Sequence, residues 1–544
     1  MNSKLLTSLC LILAALAVTG CDPNLAQTVE ETDAAVYTII DDAWDDSYGS
    51  QTNYTIDAAD PNHTVPDIEV GVLDQLTLSS AVTLATTQNR NYKTEKENLY
   101  LTALEQTDIR HLYEPMPFAG GEGGYYKDGP DEGAGAYAGA GFEQLLATGA
   151  RISTDISLGW VDILSGDIRS GFSTIATAAI TQPLLRGAGR KIALENLTQA
   201  EQNTLYQIRS FNRFRKEFVT EIMTDYYRLL QLNDERINAW DYYFALAEMQ
   251  KKLKKRTVAG KLPRYELEQA EQDRLNAMSD YVRAQKDYDD ALDAFKLRLA
   301  IIPSTPIQLD MNELAALRES VGADIALSPQ QAVEIALDQR LDLANVNDGI
   351  LDAERKVDVA ADAIRAELNL IGIANPQNPS GRASVPSRSL SNGTDLELTR
   401  DRYAAALQLD LPIDRLFEKN EYRRSLITLM QQQREYLQAS DTVVLEVQTS
   451  HRRMTEARQR YQIEQKSTRL AEKRTANTLL LLQYGRANTR DTLDAREDYL
   501  DAKNAETEAL VDYAIATLEF FRDTEIMKIK PDGMWEKNLS SMME

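Results

Sequence analysis

The chain has 544 residues, with 84 acidic against 59 basic side chains and a formal net charge of −25. A surface of that sign repels nucleic acid and is well hydrated over most of its length, so no nucleic-acid partner is expected. Single cores rarely grow past about 250–300 residues, which implies several domains unless the helices are very long.

The chain begins "MNSKLLTSLCLILAALAVTGCDPN", with one lysine, an apolar run from Leu5 to Val18, and then Thr19, Gly20 and Cys21. This pattern predicts an export signal over residues 1–20. Its end resembles a bacterial lipoprotein lipobox, which implies cleavage before Cys21 and acylation of its thiol, anchoring the mature chain to lipid. Cys10 leaves with the signal, so no disulfide can form within the chain. Residues 21–75 form an N-terminal segment, in which Asp22 to Val70 carries few periodic apolar residues and reads as an extended lead-in. Beyond residue 20 no apolar run approaches the ~18–20 residues that a spanning helix needs, so any membrane crossing falls to strands.

A helix is expected from about Ser79 to Arg110, followed by the glycine-rich "FAGGEGGYYKDGPDEGAGAYAGAGF", which reads as a surface loop. In "RISTDISLGW", Ile152, Thr154, Ile156, Leu158 and Trp160 share one face of a strand, with Arg151, Ser153, Asp155 and Ser157 on the other. A return strand lies near Phe172 to Gln182. The alternation suits a half-buried strand in a soluble sheet, or the wall of a membrane barrel with a watery lumen. "ITQPLLRGAGRK" follows. Pro183 can neither donate to a ladder nor continue a helix, and Gly187 and Gly189 permit backbone angles that other residues resist, so this is a hinge from strand to helix. From Arg190 to about Thr257 no proline or glycine interrupts the chain, and the helix this allows is roughly 100 Å long.

The remainder repeats this plan. At a constant shift of 225, Gly260 meets Gly485, Ala270 meets Ala495, Tyr288 meets Tyr513 and Phe295 meets Phe520. "LTLSSAVTLA" meets "LSPQQAVEIA" at a shift of 251, and Pro183 meets Pro412 at 229. Residues 76–300 form the first repeat, 301–326 a linker, 327–524 the second repeat and 525–544 a tail. "AELNLIG" and "YAAALQLDL" are the second strand pair, with Leu407, Leu409 and Leu411 opposite Gln408 and Asp410. Its insertion, "NPQNPSGRASVPSRSLSNGTD", also reads as a loop. A second long helix runs from Arg415 to about Tyr484. Alanine recurs every seventh residue at 270, 277, 284 and 291, and again at 495, 502, 509 and 516. Such a period is a coiled-coil seam in which small side chains let backbones approach. Each repeat is thus a pair of long antiparallel helices joined by a tip turn at Gly260 or Gly485.

The duplication, the "QPLLRGAGRK" and "LPIDRLFEKN" junctions and the "YGRANTRDTLDAREDYLDAK" segment together resemble the TolC family of bacterial outer-membrane efflux proteins, over about residues 70 to 525. The resemblance implies a mainly α protein with a small β part. Its homotrimer would build an α-barrel from the long helices and a shared twelve-stranded transmembrane β-barrel from four strands per protomer. It also implies a periplasmic adaptor (membrane fusion) protein and an inner-membrane transporter as partners, outer-membrane lipid around the barrel, and lipidation as in the subgroup serving tripartite drug pumps. Family members close the periplasmic end with aspartate rings six and nine residues after the tip glycine, which places Asp491 and Asp494 at the gate. The alternative role for these two is that of ordinary acids at a helix N-terminus. The paralogous positions are Glu266 and Gln269. The family's locking tyrosine and arginine are replaced by Leu482 and Ala487, with Tyr484, Arg486 and Arg490 beside them.

An enzyme has little to work with here. His63, His111 and His451 are the only histidines, none at metal-ligand spacing with a cysteine or carboxylate, and no phosphate loop, HExxH or nucleophile elbow occurs. No cofactor or metal is expected. The two functional readings are a passive outer-membrane export channel, gated at its periplasmic tip, and a lipid-anchored coiled-coil spacer without a lumen.

Overall fold

A computed structural model describes residues 25–530 apart from 46, 47, 49, 52, 57–72, 129–130, 164–168, 261, 321–326, 376–401 and 485. Cys21, His63, Gly485 and nearly all of the second insertion therefore lie outside the described residues. The chain divides into two compact units, one of residues 1–44, 99–208 and 349–433, the other of 45–98, 209–348 and 434–544.

In the first unit, residues expected to be extended form a helix, α1 (Leu25–Ala43). Val36, Ile39 and Ile40 recur at helical spacing and are buried, and Tyr100 donates a 2.6 Å hydrogen bond to Asp33. These contacts supply what the polar composition concealed.

The other elements up to the first hinge are β1 (Leu73–Leu76), α2 (Leu78–Gln88), α3 (Arg90–His111), β2 (Met116–Asp128), β3 (Asp131–Leu145), β4 (Arg151–Ile163) and β5 (Arg169–Pro183). Then come α4 (Arg190–Ala193), α5 (Glu195–Val258), α6 (Arg264–Arg298), β6 (Ile307–Leu309), α7 (Asn312–Ser320), α8 (Pro329–Gln339) and α9 (Leu341–Ala363). The chain continues with β7 (Glu367–Asn375), β8 (Arg402–Asp410), α10 (Leu416–Gln483) and α11 (Thr489–Asp523).

The glycine-rich insertion is not a loop. It is the β2–β3 hairpin, and it joins one antiparallel sheet in the order β2-β3-β4-β5-β7-β8, so the described residues contribute six strands to this sheet in place of the expected four. Strand pairing is made by backbone groups, and glycine and alanine give it no side-chain signature to read. A Cβ on Gly141 would collide with the carbonyl of Thr154, and the Phe118 ring occupies the space a side chain there would need. Glycine thus permits a close approach that aromatic rings then cover.

The register sets the faces. Ile156 pairs with Ala140 and Ala176, Ile180 with Gly372, and Leu370 with Leu407, so the apolar positions of both repeats share one side. Ile156, Leu158, Leu407 and Leu409 are all more than half exposed there. The opposite side carries Glu122, Glu143, Arg151, Asp155, Glu367 and Asp410.

In the second unit, the paralogous helices α2 and α8 start with the same device. Thr77 with Ser80 and Ser328 with Gln331 form capping boxes, and Ala81, Ala85, Ala332 and Ala336 have no exposed surface. The linker supplies β6, which pairs in parallel with β1 (Leu73 with Ile307, Leu76 with Leu309). All four heptad alanines of α11 are buried. Ala270 and Ala277 of α6 are buried as well, while Ala284 and Ala291 are half-buried. Along this seam Thr475 and Thr468, one heptad apart on α10, donate to the carbonyls of Ala495 (2.6 Å) and Ala502 (2.9 Å). Only an alanine-sized neighbour leaves room for that contact. At the base of α11, Glu525 accepts from Arg213 at 2.8 Å and Lys216 at 2.7 Å, a buried ion triad closing the C-terminal turn.

Candidate functional site: the helix tips and the strand-to-helix hinges

At the first strand-to-helix junction β5 ends at Pro183 and α4 begins at Arg190. Gly187 and Gly189 have φ of 77° and 100°, and the Gly187 amide donates to Asp362 at 2.6 Å. Just after Pro183, the Leu184 amide donates to the Leu368 carbonyl at 2.7 Å, joining the end of β5 to β7. The β3–β4 turn reaches the same place, since the Gly189 amide donates to the Thr148 carbonyl. At the second hinge Pro412 lends its carbonyl to Arg415 Nε at 3.1 Å. Asp362 gave no signal in the sequence, since an acid near the end of a helix is common.

At the tips, α5 ends in a turn with Gly260 at φ 67°, and Pro263 opens α6. On the other side the Arg486 amide donates to the Leu481 carbonyl, satisfying the end of α10. Asn488 then caps α11. Its side chain accepts from the Asp491 amide at 2.7 Å, and Asp491 returns a carboxylate to the Asn488 amide. Asp491 is therefore a capping acid as well as an exposed one.

The two tips touch. Thr489, buried, donates its hydroxyl to Glu266 at 2.5 Å. Beneath this contact Leu246, Met249 and Leu253 of α5 pack with Ala270, Ala277 and Leu493, and Leu482 packs against the cluster from α10. Arg490 lies 3.9 Å from Asp494, with both side chains more than half exposed.

Asp494 does not stand alone. Burial, and after it the Asp494 charge, raises the pKa of Asp273. Glu497 is raised by burial and then by Asp501, Asp273, Asp494 and Asp498, and Asp501 by burial and then Asp498. Burial and the same carboxylates also push the Tyr242 hydroxyl up. Burial lowers Arg496, whose Nε is buried without a hydrogen-bond partner. The tip is thus an acidic cluster drawn from two helices. Asp273 and Asp498 could have been found in the sequence, because the shift of 225 superposes them.

Among the described residues no three histidine, cysteine or carboxylate side chains are arranged to hold a metal ion, and no helix is long and apolar enough to cross a membrane. A cleft of about 700 Å³ lies between α5, α10 and α11, but its walls pair their own charges. Arg340 is bound by Asp342 and Glu446, and Arg453 by Glu519. The tip carboxylates can concentrate cations and repel anions without chelating them.

No protein-family model matches the chain, and no curated protein matches it. Solved structures do. The Campylobacter jejuni CmeC outer membrane channel is 13% identical, with a TM-score of 0.58 over 90% of this chain and 96% of that one. The open state of the Neisseria gonorrhoeae MtrE outer membrane channel is 14% identical, with a TM-score of 0.58 over 82% of this chain and 88% of that one. CusC, whose structures follow folding and transmembrane channel formation, is 14% identical with a TM-score of 0.59 over 85% of this chain and 98% of that one. At these identities the likeness is one of fold.

Proposed function

We infer the function from the TolC-type fold that the chain shares with these channels, as the sequence resemblance implied. We propose that the chain is the outer-membrane exit duct of a tripartite efflux or type I secretion system. Three copies share a β-barrel and a helical tunnel, and Cys21 carries the lipid. The observation that carries this is the sheet. Its long strands expose one almost uniformly apolar face while the other holds the charges, the pattern of a wall between lipid and water. A spacer without a lumen has no use for such a face.

The duct is passive. An inner-membrane transporter supplies energy and cargo through a periplasmic adaptor, and opening is an outward swing of the helix pairs that end near Gly260 and Gly485. In the closed state Glu266, Asp491 and Asp494 of three copies form carboxylate rings, whose mutual repulsion opening relieves. Single-channel conductance of the detergent-purified, chemically cross-linked trimer in a planar bilayer tests this. Discrete cation-selective steps are expected. Failure of the protein to insert would favour the tethered spacer.

A further inference from the structure

The six-stranded sheet raises a question that a duct with four strands per copy would not: where the β2–β3 hairpin goes. Its register answers. β2 pairs with β3 along thirteen positions from Met116↔Glu143 to Asp128↔Asp131, and β3 pairs with β4 along thirteen more. The hairpin is a continuation of the wall, with the same spacing and direction rules as β4, β5, β7 and β8.

It also keeps the same faces. Pro117, Ala119, Gly121, Gly123 and Tyr125 of β2 fall on the apolar side, as do the alanines of β3 at 134, 136, 138 and 140. Near the hairpin tip Lys127 and Glu132 pair with each other and the register sets Asp162 beside Ala134; below that level no described side chain on that face is charged. The water side of the hairpin alternates glycine, at 120, 124, 133, 135, 139 and 141, with larger side chains that include Phe118, Glu122, Tyr137 and Glu143. Both hairpin strands exceed the ~9–11 residues that cross a bilayer.

The edges are β2 and β8. Six antiparallel strands put them in opposite directions, so β8 of one copy can pair with β2 of the next in the antiparallel sense and the ring can close without a mismatch. Resting on the trimeric reading above, we propose that three copies close an eighteen-stranded barrel through β2–β8 contacts. Its extra strands would make it about half as wide again as a twelve-stranded one, with roughly twice the lumen cross-section. The exit from the cell would then be wide enough for bulky cargo, leaving the tip as the narrow point.

Electron cryomicroscopy of the detergent-purified full-length protein tests this by counting strands. Eighteen are expected. A trimer with a twelve-stranded wall and the hairpin folded into the lumen or outside it would overturn the proposal while leaving the duct intact, whereas a chain that stays monomeric would remove the trimeric duct and the barrel together. Disulfide trapping gives a second readout. Ala119→Cys, combined in turn with Ala405→Cys, Leu407→Cys or Leu409→Cys, should yield covalent trimers on oxidation, and Ile156→Cys with the same partners should not. The reverse pattern, β4 cross-linking to β8, would sink the eighteen-stranded ring.

Discussion

Thr489 donates its hydroxyl to Glu266 across 2.5 Å, although 223 residues separate them, and so binds the starts of two helices that the duplication makes equivalent. Glu266→Ala leaves that buried hydroxyl without its acceptor, at a cost of about 1–3 kcal/mol. Adding Thr489→Val removes the stranded group and should restore most of the loss. Chemical denaturation in detergent, run as a double-mutant cycle, reads this; a double variant as damaged as the sum of its parents would mean the two residues act independently.

The proposed gate carboxylates, Asp491 and Asp494, should govern ion selectivity. Asp491→Asn with Asp494→Asn removes two charges per copy while leaving an oxygen able to accept from the Asn488 amide, so the cap of α11 survives. The cation preference measured from reversal potentials in a planar bilayer should fall. If it does not change, both residues are ordinary acids near the N-terminus of α11 and take no part in the gate.

The alanine seam should be intolerant of bulk. Ala509 has no exposed surface, and Ala509→Leu would force α11 away from its neighbours at about 1–3 kcal/mol. Ala284→Leu, at a half-buried heptad position, should cost less. Thermal unfolding followed by helical circular dichroism compares the two. Equal shifts would show that the heptad is not the packing seam.

Acid should tighten the tip. Burial holds the folded-state pKa of Asp273 and Asp501 above 3.8 and that of Glu497 above 4.5, with neighbouring carboxylates adding to it. Between those values and the raised ones the folded tip binds more protons than the unfolded chain, so stability falls as pH rises through the window and returns on acidification. Once corrected for intrinsic rates, hydrogen exchange at the first turns of α6 and α11 should therefore slow as pH drops from neutral toward about 4.5. Glu497→Gln should weaken the dependence. Faster corrected exchange in acid would contradict the assignment.

Much of this was legible in the chain itself. The heptad alanines, the alternation from Arg151 to Ser157 and the match of Gly260 to Gly485 are short-range periodicities. A helix or strand displays such a period whatever packs on it, which is why the long helices and the end of β5 at Pro183 stand within a few residues of where the sequence places them. The helix at Leu25–Ala43 and the β2–β3 hairpin were not legible. In the first a few buried apolar residues outweigh a polar composition, and in the second the pairing is made by backbone groups that every sequence shares. The acidic cluster of Asp273, Asp494 and Glu497 also waited on tertiary structure, because the proximity of charges on different helices, and the burial that raises their pKa values, exist only once those helices pack.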